Sequence, residues 1–306
     1  MITLHIQTLG QTRMTRGGTE LKWSAQSARE LLLYLLSFPE GRTRSQIFED
    51  LWQQDVDAAS NNRFRVTLHR LRTCLEMPQA VSEEHGRYRL APEVWHGSDV
   101  YAFYQALGQA ETGTAAQRRE ALQRAVNFYT GDYLAEEGEE WVIKARGEHQ
   151  AAYVQANLEL SLLHCDEHAC DLSVLAMVRA LRADPYVGEQ YHQRLMTCLS
   201  VVENKYQSID HYRRFLKFLR EEVNDLPMPE TLQLAERIKA GERICQHDDG
   251  AVLAMPQVRH CPLASDGQCP GTLQALIELE TWPTPPTGTT TAATFTTNAT
   301  PAPGAD

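Results

Sequence analysis

The sequence predicts a mainly α protein with a small β component: a module of short strands and helices, then a longer run of stacked helices. Three observations carry this. Ile2, Leu4 and Ile6 alternate with polar neighbours, the period of a strand. From Asp99 to about Ala240 apolar residues recur at spacings of three and four, the period of a helix face. Gly and Pro punctuate the chain at Gly17-Gly18, Pro39-Glu40-Gly41, Gly131-Asp132, Asp184-Pro185 and Leu226-Pro227. The 306 residues suffice for about two domains. No run approaches the roughly 20 apolar residues of a membrane span, and no signal peptide is visible. Seven irregularly spaced Cys fit a reducing cytoplasm. The expected location is therefore cytoplasmic, without membrane attachment.

The elements of the first third follow in order. Residues 2–7 form the first strand, and Glu20-Leu21-Lys22-Trp23 returns as a short partner after Gly17-Gly18. Ser24 caps a helix through Leu36, whose run Leu31-Leu32-Leu33-Tyr34-Leu35-Leu36 demands burial. Thr43 caps a second helix, with Gln46 completing a capping box and Ile47, Phe48, Leu51 and Trp52 on its apolar face. A polar loop from Gln53 follows, and Ser60 or Asn61 caps a third helix ending near Leu75. Val81 to Leu90 has the pattern of a β-hairpin.

Helices are expected near 99–110, 115–130, 139–165, 169–183, 186–201, 205–224 and 229–240. Ala183-Asp184-Pro185 between two of them resembles the joint of a tetratricopeptide-like solenoid. The pattern decays after residue 241. From Thr281 the chain is mostly Thr, Pro, Ala and Gly, a composition that cannot offset the entropy of ordering. This divides the chain into 1–98, 99–241, an irregular extension 242–280 and a disordered tail 281–306.

The formal net charge of −11 argues against nucleic acid until it is partitioned. Residues 1–98 carry +1, residues 99–240 carry −7 and the remainder −5. Between Ser60 and Leu75 there are four Arg and no acid. On a helix, Phe64, Leu68, Leu71 and Leu75 form one buried stripe. Val66, His69, Arg70 and Thr73 lie opposite, flanked by Arg65 and Arg72 on one side and Arg63 and Thr67 on the other. Such a face suits phosphate; an exposed Val66 suits a thymine methyl, and Arg63 or Arg70 suits guanine. The order strand, helix, helix, basic helix, hairpin is that of a winged helix-turn-helix, whose third helix enters the major groove. Arg87 and Arg89 on the hairpin then face the neighbouring backbone or minor groove.

Residues 1–98 resemble an OmpR/PhoB-type winged helix, and residues 99–240 resemble the bacterial transcriptional activator domain of SARP-type regulators. The resemblance rests on Ala28-Arg29-Glu30-Leu31-Leu32, Ile47-Phe48-Glu49-Asp50-Leu51-Trp52, Val66-Thr67-Leu68-His69-Arg70-Leu71-Arg72 and Tyr88-Arg89-Leu90. It continues through Asp99-Val100-Tyr101-Ala102-Phe103, Tyr129-Thr130-Gly131-Asp132-Tyr133-Leu134, Ala183-Asp184-Pro185-Tyr186 and Pro227-Met228-Pro229-Glu230-Thr231. It implies sequence-specific binding of promoter DNA by Arg63, Arg65, Thr67, His69, Arg70 and Arg72. It also implies contact between the Gln53 to Ser60 loop and RNA polymerase holoenzyme, and the expected assembly is a homodimer or higher homo-oligomer. Two positions depart from the family: Arg87 stands where a Gly usually precedes the Tyr-Arg pair, and Asn204 stands where the solenoid unit usually has Gly.

Other clusters are weaker. His164, Cys165, His168 and Cys170 offer soft ligands, as do Cys245, His247, His260, Cys261 and Cys269, but neither spacing matches a standard zinc site. Gly41-Arg42-Thr43-Arg44-Ser45 lacks the spacing of a phosphate loop, and no nucleophile–base arrangement is present. The expectation is a non-enzymatic regulator without a cofactor. The alternatives are an interaction scaffold that no longer binds DNA, and a helical domain that senses a small effector such as a nucleotide second messenger.

Overall fold

Strand β1 (Leu4–Gln7) buries Leu4 and Ile6 and exposes His5, as its alternation requires. Its partner differs from the one expected. The antiparallel neighbour is β2 (Arg13–Arg16), in register Leu4↔Arg16 to Gln7↔Arg13. The returning segment is only the two-residue β3 (Thr19–Glu20). β2 was illegible because Met14 is its one apolar residue, so no alternation marks it. The computed structural model describes residues 3–245, which fall in one compact unit.

Helix α1 (Gln26–Ser37) buries every residue from Leu31 to Leu36. It packs on α2 (Arg44–Trp52) and α3 (Ala58–Cys74), and on α7 (Glu140–Asp166) of the helical stack. A helix covered on several sides can be apolar nearly all round. Its N-cap is Ala25, without a side-chain hydrogen bond, one residue beyond the expected Ser24. α2 is capped by Thr43 and Gln46 in the expected capping box. α3 begins earlier than expected: Asp57 and Ser60 form a second capping box, which shortens the preceding loop to residues 53–57.

The wing is β5 (Val81–Glu84) and β6 (Arg87–Leu90), joined by His85 and Gly86 at φ 52° and 76°. Two consecutive positive φ angles give the turn whose twist suits a tight hairpin. Arg87 therefore sits in the strand, and Gly86 supplies the turn. A two-residue strand unmarked in the sequence, β4 (Arg42–Thr43), pairs with β6, giving the order β4-β6-β5. Gly41 permits this approach: its φ is 80°, and an added Cβ would lie 3.1 Å from the Tyr88 carbonyl oxygen.

After the short α4 (Pro92–Trp95), helices pack consecutively: α5 (Asp99–Thr112), α6 (Ala115–Phe128), α7, α8 (Cys170–Ala183), α9 (Glu189–Val202), α10 (Lys205–Phe218) and α11 (Pro229–Ala240). The expected helix 205–224 passes into a π-helical turn at Leu219–Val223 and ends at left-handed Asn224. Asn204 is not left-handed: it is extended (φ −175°) and caps α10 through the backbone N–H groups of Tyr206 and Gln207.

The apolar core crosses residue 98 without a break, running from Leu4, Leu33, Phe48 and Leu71 to Phe103, Tyr133 and Val142. Polar contacts reinforce the crossing. The Asp99 carboxylate accepts from the backbone N–H of Thr8 (2.7 Å) and Leu9 (2.8 Å) and from the Thr8 hydroxyl (2.8 Å). Burial nevertheless pushes its pKa above the usual carboxylate value. Arg29 on α1 pairs with Glu137 at 2.6 Å, and Ser37 shares a hydrogen bond with Tyr133 at 2.7 Å. Arg146 holds the same loop by donating to the carbonyls of Tyr133, Leu134 and Glu137.

Candidate nucleic-acid interface

α3 sits at the front of the first module because its rear face is apolar. Phe64, Leu68 and Leu71 are buried against the core. Phe64 packs edge-on against Phe48 and Tyr88, with ring centroids 5.8 and 4.8 Å away. The opposite face presents Asn62, Arg63, Arg65, Val66, His69, Arg70 and Thr73 to solvent. Val66 is 40% exposed, so its methyl groups face solvent among the arginines. No acid lies between Ala58 and Cys74. The nearest, Asp57, is used by the helix itself: hydrogen bonds from Ser60 hold its carboxyl below the usual range.

The expected contact residues divide into two groups. Arg63, Arg65, His69 and Arg70 point outward, and their side chains make no hydrogen bond or ion pair with the described residues. The Arg63 guanidinium carbon lies over the Trp52 ring, 4.5 Å from its centroid. Thr67 is a correction. It is 2% exposed, with its hydroxyl 3.5 Å from that of Ser27 at the start of α1. Phe64, Thr67, Leu68 and Leu71 complete the three-four-seven spacing of a buried face, and the Thr hydroxyl hid that pattern. Arg72 is half-buried, and its Nη2 donates to the Val81 carbonyl at 2.8 Å. It fastens the end of α3 to the wing.

The wing arginines are also tethered. Arg87 donates to the Gly41 carbonyl at 3.0 Å. Arg89 donates to the Glu40 carbonyl at 3.4 Å and pairs with Glu84 at 3.4 Å. Arg87 remains exposed and Arg89 half-exposed, so each retains N–H donors facing water.

Sequence reasoning missed Arg44. It opens α2, donates to Asn61 Oδ1 at 3.0 Å and to the Tyr88 hydroxyl, and lies over the Phe64 and Tyr88 rings. One guanidinium thus joins α2, the first turn of α3 and the wing. The signal in the sequence is the basic run Arg42-Thr43-Arg44 beside the Thr43 cap.

Among the described residues, no group of three or more His, Cys, Asp or Glu is arranged to hold a metal ion. His164 is 6% exposed, and burial lowers its pKa. The second soft-ligand set lies, beyond Cys245, outside the described residues. No helix among the described residues is long and apolar enough to cross a membrane.

Residues 99–239 match the family model of the bacterial transcriptional activator domain. The chain is 26% identical over 256 residues to the regulatory protein AfsR of Streptomyces griseus, covering 80% of this chain but 26% of that protein. It thus spans about a quarter of that relative's length. The fold resembles Mycobacterium tuberculosis EmbR, solved with a low-affinity phosphopeptide: the TM-score is 0.63 at 19% identity, over 80% of this chain and 67% of that one. Residues 99–239 thus carry the bacterial transcriptional activator domain, behind a basic helix-and-wing module, in a chain similar in sequence to a regulatory protein and in fold to EmbR.

Proposed function

We propose that this chain is a transcriptional regulator of the SARP/BTAD type that binds double-stranded promoter DNA through α3 and the wing. Residues 1–98 act as the reading module, and residues 99–241 present partner surfaces. The carrying observation is the acid-free outward face of α3, where the side chains of Arg63, Arg65, His69 and Arg70 make no hydrogen bond or ion pair with the described residues. Unpaired cations on one face of a helix attract phosphate, and base-edge contacts then select sequence. Val66 lies on this face, suited to a thymine methyl, and Arg70 is suited to guanine. Arg87 and Arg89 meet the adjacent backbone. Arg72 acts mainly by holding the wing, and Thr67 takes no part in contact.

The exposed loop at residues 53–57 is the expected meeting point with RNA polymerase, and a homodimer would pair two half-sites. The test is binding to sequences selected from random DNA, as a function of salt. Replacing Arg63, Arg65 and Arg70 together by Ala is expected to abolish selection and flatten the salt dependence. Undiminished selective binding by that variant would overturn the assignment. The helical stack supports a second reading for its own part, as a protein-docking surface: it carries the −7 charge and exposes Tyr206 (75%) and Leu226 (82%).

A further inference from the structure

Arg63 is the one arginine of the α3 outward face with an aromatic platform beneath it. Trp52, the last residue of α2, is only 8% exposed. It is fixed by stacking on Phe48 (centroids 5.4 Å, interplanar 29°) and by edge contact with Phe64 (6.4 Å). The Arg63 guanidinium over this ring is held by the attraction of a cation for the ring face. That attraction uses no hydrogen-bond acceptor. Arg63 makes no hydrogen bond or ion pair with the described residues, so its planar fork of donors remains available. Arg65 and Arg70 have no such support, although both are exposed on the same helix.

The chemistry of the two supports differs in what it leaves open. An arginine tethered through an N–H group, as Arg72 is to Val81, has committed part of its donor fork and has its direction fixed toward that partner. An arginine held through a ring contact is ordered with its donors intact. Ordering before contact removes part of the rotamer entropy that a long side chain otherwise loses on binding. The matching acceptor pair is the O6 and N7 edge of guanine in the major groove.

We infer that Arg63, held by the Trp52 ring, is a specificity-determining residue that reads one guanine, with Trp52 as its positioning residue. This rests on the proposed DNA-binding role of α3. Arg65 then serves chiefly as a phosphate contact, whose loss weakens all sequences alike.

The test uses the full chain and its selected duplex, with each base pair substituted in turn. Arg63→Ala and Arg63→Lys are both expected to lower discrimination at a single G·C pair about ten- to hundredfold and to leave the other positions unchanged; Lys keeps the charge but lacks the fork. Trp52→Leu is expected to lower discrimination about three- to tenfold at that same pair, and Trp52→Phe, which retains a ring, to restore most of it. Melting temperatures accompany each variant. Should Trp52→Leu fail to fold, Trp52→Met keeps most of the volume without the ring and serves instead. Wild-type discrimination in Arg63→Lys would overturn the inference, because charge alone would then suffice. Uniform weakening at every position in the Trp52 variants would overturn it as well, because that is the mark of a damaged module. If the wild-type chain selects no sequence at all, the DNA-binding reading fails; a selected motif unchanged by Arg63 substitution sinks only the present inference.

Discussion

The arginines of α3 and those of the helical stack stand in opposite circumstances. In the stack Arg118 is paired with Glu159, Arg119 with Glu167, Arg214 with Asp210 and Arg237 with Glu242. On α3, Arg63, Arg65 and Arg70 have no acidic partner among the described residues. Both regions are helical, so the difference lies in what the sequence places nearby. The stack sets acids beside several of its cations, whereas α3 excludes acids over its whole length. Paired surface charges contribute little to stability, and unpaired ones of a single sign create a field that a polyanion can meet. Net charge describes the bulk of the chain, and pairing describes where the field escapes.

The largest effect expected from this contrast follows removal of the unpaired set. Arg63, Arg65 and Arg70 changed together to Ala should weaken binding to a selected duplex at least about a hundredfold at moderate salt, with the salt slope reduced by about two to three. Thermal unfolding should hardly change, since these side chains support little within the fold. A large fall in melting temperature would break the comparison by showing that α3 needs its arginines to fold.

The junction between the two regions offers a contrasting lesion. Asp99→Ala strands the Thr8 and Leu9 N–H groups, which lie at 0% exposed residues, and should destabilise the protein by about 2–4 kcal/mol in denaturant unfolding. Here stability should fall while the salt slope of DNA binding in the folded fraction stays unchanged.

Acid should act on the same side as Asp99→Ala. Burial lowers the pKa of His149 from 6.5 to about 4, with Tyr104 bonded to its Nδ1 and Tyr133 packed edge-on against the ring. Between these values the unfolded chain binds a proton that the folded chain refuses, so stability falls as pH drops from about 6.5 to 4. This ring contributes at most about 3 kcal/mol. His192, also lowered to about 4, adds in the same direction. Melting curves at pH 7.5 and 5 should show the loss, and His149→Gln should reduce it. A pH-independent melting temperature over this range would contradict the buried neutral state.

Smaller effects discriminate between individual arginines. Arg72→Met removes a tie from α3 to the wing and should cost about 1 kcal/mol of stability. Its effect on affinity should be modest beside that of Arg70→Ala. Thr67→Val should leave DNA binding unaltered, because the residue faces α1. Smallest of all, Arg118→Ala in the stack should shift neither melting temperature nor binding measurably, as an exposed pair predicts.

Much of this was legible in the sequence, because the strongest signals there are local. The capping box at Thr43 and Gln46, the apolar stripe of α3 and the consecutive helices after Asp99 all appear at or near their expected places. What escaped depends on partners distant in sequence. β2 has one apolar residue and is a strand because β1 pairs with it. β4 exists because Gly41 lets Arg42 lie against Tyr88. Arg44 looked like part of a failed phosphate loop until Asn61 and Tyr88 were seen to meet it. Thr67 was misplaced for a different reason: its polarity suggested solvent, while its helical position already placed it with Phe64 and Leu71. The division between outward and tethered arginines could not be read at all, since composition cannot show that Arg72 reaches Val81.

The core that continues past residue 98 has a consequence for the proposed binding to a duplex. With α1 buried against α3 on one side and α7 on the other, the stack and the reading helix turn as one body. If α3 reads DNA as proposed, such a body would behave like a protractor: whatever the stack carries would be presented at a fixed angle around the DNA axis. Moving its binding site by about five base pairs rotates that surface to the far side of the duplex, and moving it by about ten brings it back.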